Sequence, residues 1–103
     1  PVELCRKYPE RITYVHIKAF DEAITRQAHE KDWPFGEAVT KGASVCPPAG
    51  LPEMHAFVDA LAELDKPIYA ICEQDCYPCD PSFPKPNAIN MRTYLAECGL
   101  GLA

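Results

Sequence analysis

No stretch of the sequence reaches the roughly eighteen consecutive apolar residues that a membrane-spanning helix requires. Nor is there a basic stripe: 10 Lys and Arg stand against 15 Asp and Glu, for a formal net charge of −5. That balance opposes non-specific attraction to phosphate backbones and anionic lipid, so neither nucleic acid nor membrane is an expected partner. The N-terminal "PVELCRKYPE" lacks the basic-then-apolar order of a secretory signal, and the expected address is cytoplasmic. An initiating Met is also missing; a chain that opens on Pro1 reads as cut from something longer, or processed. Internal repeats and low-complexity tracts are absent as well.

What is there suits a packed domain. An apolar fraction of 48% and a charged fraction of 24% match an ordinary globular protein, and 103 residues suffice for one small domain or part of one. Six cysteines, Cys5, Cys46, Cys72, Cys76, Cys79 and Cys98, could form three bridges in an oxidising compartment. Without a secretory signal, free thiols are expected.

Two strand-then-helix units are visible. "RITYVHIKAF", residues 11–20, alternates so that Tyr14, His16 and Lys18 share one face and Val15, Ile17 and Ala19 the other. A polar segment, 21–32, reads as a short helix capped by Asp21. Residues 33–50 carry the Gly and Pro punctuation of an ordered loop, in which Trp33 and Phe35 either wall a pocket or, the favoured reading, anchor the loop. "LPEMHAFVDALAEL" sets Met54, Phe57, Val58, Leu61 and Leu64 at helical spacing, with Pro52 suited to the first turn and Asp65-Lys66-Pro67 as the stop. A second strand, 67–74, turns Tyr69, Ile71 and Glu73 one way and Ile68, Ala70 and Cys72 the other. After a proline-rich turn a last helix is expected from an N-cap at Asn87, with Gly99 closing it. The order implies two parallel βα units joined by a right-handed crossover.

The segment "YAICEQDCYPCD" offers two chemistries, carboxylates or thiols. Ligands in parallel βα architectures bind at the carboxyl ends of strands. If the two strands are neighbours, about 4.8 Å apart, His16 and Glu73 can reach a common ion, and an imidazole with a carboxylate suits Mn, Co, Zn or Mg. The alternative is that His16 is a satisfied core histidine and Glu73 pairs with Lys18. The thiols Cys72, Cys76 and Cys79 have the spacing of the cluster loop of radical S-adenosylmethionine enzymes. However, Pro78 stands where an aromatic normally does, little chain follows, and alternation turns Cys72 toward the helices. A Cys76/Cys79 zinc or redox pair also stays open. His29 is expected to be solvated and His55 to lie at the edge of its helix's apolar stripe.

"RITYVHIKAFD", a Gly-bearing loop, an amphipathic helix, "PIYAICEQD" and a last helix through "YLAECGLG" together resemble the C-terminal part of the xylose-isomerase-like TIM barrels. These are sugar phosphate isomerases, epimerases and inosose dehydratases that share a superfamily with an apurinic-site endonuclease. The resemblance covers essentially the whole chain and implies an α/β fold, the last two βα units of a (β/α)8 barrel, with residues 1–103 a single partial domain. It implies that His16 and Glu73, ending the seventh and eighth strands, are two ligands of a divalent metal (Mn, Co, Zn or Mg). It further implies that Lys18 is a proton donor, that Gln74 and Asp75 contact substrate, and that the substrate is a small sugar or polyol.

Family members commonly read His-apolar-Lys-Asp, and here Ala19 replaces the Asp. The endonuclease would need a basic groove and an Asp-Arg-His cluster, which this sequence lacks. The remaining strands must come from the rest of a barrel, or the open edges drive self-association. The reading from a different class is a small cysteine-based metal (Zn or Fe-S) or redox module.

Overall fold

The alternation across residues 14–17 and 69–72 produces a two-stranded parallel sheet with one apolar face. In the computed structural model, which describes residues 1–75 and 80–100, β1 (Tyr14–Ile17) pairs with β4 (Tyr69–Cys72), and His16 stands opposite Ile71. Val15, Ile17, Ala70 and Cys72 turn toward the helices, whereas Tyr14, His16, Tyr69 and Ile71 are exposed on the other face. The order along the chain is α1 (Val2–Lys7), a 3-10 turn (Pro9–Arg11), β1, β2 (Ala19–Phe20), α2 (Glu22–Glu30), α3 (Phe35–Thr40), β3 (Ser44–Val45), α4 (Met54–Ala62), β4 and α5 (Pro84–Glu97).

The core lies on the helix side. Ile17 and Ala19 pack with Met54, Phe57, Val58 and Leu61 of α4, Cys5 of α1, and Tyr94 and Leu95 of α5. Of the apolar positions expected of α4, Met54, Phe57, Val58 and Leu61 are buried, with Ala60 beside them, while Leu64 lies past the helix end and is half-buried; the exposed His55 stacks its ring edge-on against Tyr94. Asp21 caps α2 as expected, its Oδ1 accepting from Ile24 N at 2.8 Å. Gly99, at φ 80°, ends α5 in the left-handed turn that its lack of a side chain permits.

Several boundaries differ from expectation. The first strand is much shorter than residues 11–20: Pro9 seeds a 3-10 turn ahead of it, and after Lys18 the chain leaves β4 so that β2 pairs antiparallel with β3. The second strand spans Tyr69–Cys72 instead of 67–74, since Pro67 has no N–H to give a ladder. Pro52 lies outside α4, whose N-cap is Glu53. The last helix begins at Pro84, not after Asn87, because Pro84 and Pro86 sit in a first turn whose N–H groups need no partner; Asn87 is inside the helix. The segment 33–50 contains α3 and β3. Within it Gly50, at φ +81°, lets the chain close on Phe20, whose N and O both bond Leu51 at 2.8 Å; a Cβ there would strike the Phe20 carbonyl.

Two exposed carboxylates tie this frame. Glu53 accepts from Ala56 N at 2.7 Å and His55 N at 3.2 Å, and Glu63 takes a two-pronged bond from Arg6 at 3.0 and 3.1 Å. The Ala56 amide holds the Glu53 carboxyl below the ordinary glutamate range, and the Arg6 hydrogen bond does the same for Glu63. Each native pKa lies below its unfolded value, so each contribution to stability is complete above the ordinary glutamate range and is lost as pH falls through the native value. The double variant Glu53→Gln, Glu63→Gln is expected to melt below the parent at pH 7 and to converge with it as the pH falls below the ordinary glutamate range and both carboxylates become protonated. Thermal midpoints by circular dichroism across that range provide the check.

Candidate active site

Glu73 is the hub of a cluster at the carboxyl ends of β1 and β4. One strand delivers His16 and Lys18 and the other Glu73 and Asp75, because parallel pairing puts both strand ends on one side of the sheet. His16 Nδ1 bonds Glu73 Oε2, and Lys18 Nζ donates to Glu73 Oε1 at 2.8 Å. Lys18 Nζ also stands 2.6 Å from Asp75 Oδ2, an ion pair with a carboxylate oxygen closed off from solvent. His16 Nε2 meets the Tyr14 hydroxyl at 3.1 Å. Of the alternative reading, the Glu73–Lys18 pair is present, but His16 is no core histidine: its side chain is 47% exposed and it meets Glu73 at the surface.

Burial works to lower the Lys18 pKa, but the hydrogen bonds to Asp75 and Glu73 outweigh it, so Lys18 sits above the ordinary lysine value and stays an ammonium at neutral pH. The Lys18 hydrogen bond, followed by that of His16, holds the Glu73 carboxyl below the ordinary glutamate range. The ammonium also faces the rings of Phe20 and Phe35, 5.6 Å from each centroid.

Gln74 turns aside. Its Oε1 accepts from Asn87 Nδ2 at 2.9 Å and its Nε2 lies 3.5 Å from the Ser44 carbonyl. Asp75 N donates to Ser44 Oγ at 3.0 Å. Ser44 went unread in the sequence and Asn87 was read only as a helix cap: a lone serine in a loop and an asparagine ahead of a helical stretch carry no signal of their contacts to Gln74 and Asp75. Tyr14 did carry one, through its parity with His16.

An imidazole nitrogen and a carboxylate oxygen converging from neighbouring strands fit two ligand positions of a borderline or hard divalent ion. No third His, Cys, Asp or Glu joins them in a metal-holding group among the described residues, so an ion held by this pair would need further donors. Cys72 faces the helices, and burial pushes its thiol up, as it does that of Cys46. Cys5, Cys46, Cys72 and Cys98 are free. Cys76 and Cys79, on which the thiol readings depend, lie outside the described residues.

These features define a mixed α/β fold bearing an imidazole, carboxylate and ammonium centre at one end of a parallel strand pair. The chain is similar to inosose dehydratases: that of Clostridium tetani (strain Massachusetts / E88) is 30% identical over 97 residues, 94% of this chain and 32% of the relative. That of Histophilus somni (strain 129Pt) is 28% identical over 98 residues, 93% of this chain and 32% of the relative. That of Glaesserella parasuis serovar 5 (strain SH0165) is 29% identical over 93 residues, 88% of this chain and 30% of the relative. The chain therefore spans about a third of the length of the curated relatives it matches. No family model and no solved structure matches it. Among the described residues no helix is long and apolar enough to cross a membrane.

Proposed function

We propose that this chain is the carboxyl-terminal part of a divalent-metal-dependent (β/α)8 enzyme that moves a proton at carbon in a small sugar or polyol. Dehydration is favoured over isomerisation and epimerisation, since the relatives bear the name inosose dehydratase. The single observation that carries the reading is the meeting of His16, Lys18 and Glu73 at the carboxyl ends of two parallel strands, the end at which barrel enzymes build their sites.

In this reading His16 and Glu73 hold the metal, and the metal when bound polarises substrate oxygens and acidifies the neighbouring C–H. Lys18 is the proton donor to the departing hydroxyl. Its raised pKa keeps the ammonium loaded at neutral pH, although a lysine nearer neutrality would be the stronger acid. Asp75 holds Lys18 together with Glu73, and in this reading Gln74 and Asp75 supply contacts to the substrate's remaining hydroxyls. The other barrel strands supply the missing ligands and close the sheet.

The test is an assay of the natural-length polypeptide for loss of water from a cyclic keto-polyol, with manganese or cobalt supplied. Turnover that falls by roughly 100-fold or more in Lys18→Met supports the assignment of an acid catalyst; an unchanged rate removes Lys18 from the mechanism.

A further inference from the structure

A cleft lies between α2 and α3. Phe20, Trp33 and Phe35 line it together with Thr25, His29, Asp32 and three alanines, around a volume of about 370 Å³. The cleft is open to solvent, and its volume lies within the range of small-molecule sites. Phe20 and Phe35 meet edge to face at 6.4 Å, and the same two rings flank the Lys18 ammonium. The cleft therefore adjoins the Lys18–Glu73 centre through a shared aromatic wall. Phe35 is 58% exposed, so burial in the core does not account for its ring.

Aromatic faces beside a hydroxyl, an imidazole and a carboxylate match one ligand chemistry in particular. A polyhydroxylated ring presents C–H bonds on its faces, which rest on aromatic carbon, and hydroxyls on its rim, which meet polar side chains. We propose that this cleft binds the ring of a cyclic polyol, with Phe35 as the platform for its C–H face and Asp32 and His29 bonding rim hydroxyls. The inference rests on the polyol reading above and adds where the ring lies.

Saturation-transfer NMR on the natural-length protein tests it, with myo-inositol as the probe and straight-chain sorbitol as the control. Transfer to the ring C–H protons of myo-inositol is expected, stronger than to sorbitol. Phe35→Ala should weaken binding by up to roughly tenfold and Phe35→Tyr should restore it. Phe35 is exposed, so an unchanged far-UV spectrum is expected of both variants. Glu73→Gln should weaken binding as well, since the metal that Glu73 would hold polarises oxygens of the same polyol, and Phe35→Ala should weaken it further in that background. Absent transfer, equal transfer to sorbitol, or binding unmoved by Phe35→Ala overturns the proposal. Loss in Glu73→Gln without loss in Phe35→Ala overturns it too, while leaving the polyol reading standing.

Discussion

Glu73→Gln is expected to weaken divalent-metal binding by about 100-fold or more and to remove turnover with it. Substituting a partner that merely orients a ligand already costs on the order of 10- to 100-fold in affinity, and in the proposed site the ligand itself would lose its charge. The change is close to isosteric, and the Glu73 side chain is 34% exposed, so the core beneath it is untouched. Locally, Lys18 exchanges an ionised partner for a neutral one and keeps Asp75, which holds the ammonium in place. Titration calorimetry with manganese chloride should report the lost affinity while the far-UV spectrum stays that of the parent. Metal affinity within a factor of two of the parent would remove Glu73 from the ligand set and leave it as the counter-ion of Lys18.

The second large effect concerns association. Among the described residues β1 and β4 are one another's only partners in their sheet, so each offers an open edge. The face away from the helices carries Tyr69 at 74%, Tyr14 at 57% and Ile71 at 40% exposure. In a closed barrel this face would be the filled interior. The 103-residue chain by itself is therefore expected to self-associate as its concentration rises, and the double variant Tyr69→Lys, Ile71→Lys to shift it toward monomer. Sedimentation velocity across a concentration series is the check. A monomeric parent with a cooperative unfolding transition at all concentrations would contradict the account.

The features legible in the sequence were those set by period. Alternation assigned Tyr14 and His16 to one face and Val15 and Ile17 to the other, and the 3.6-residue rhythm gave α4 its buried side, because both depend only on which neighbours share a face. The meeting of His16, Lys18 and Glu73 followed from the same parity once the strands were taken as parallel neighbours, whereas Asp75 entered only through the resemblance, as a substrate contact, and its ion pair with Lys18 was not read. What escaped depends on contacts distant in sequence. The hairpin of β2 and β3 is two residues a side, too short to carry a period, and it ends β1 earlier than alternation implies. Asn87 has the composition of a helix cap, but the prolines ahead of it start the helix sooner and free its amide to hold Gln74. Phe35 faces Lys18 through α3, a six-residue helix hidden in loop-like sequence.

The most direct measurement is of metal and acid-labile sulfide in the natural-length protein, purified without oxygen and compared with its Glu73→Gln and Cys76→Ser variants. The account predicts manganese, cobalt or zinc in the parent and in Cys76→Ser, and its loss in Glu73→Gln alone. Loss of zinc, or of iron with sulfide, in Cys76→Ser alone would contradict it and make the thiols of "CEQDCYPC" the site.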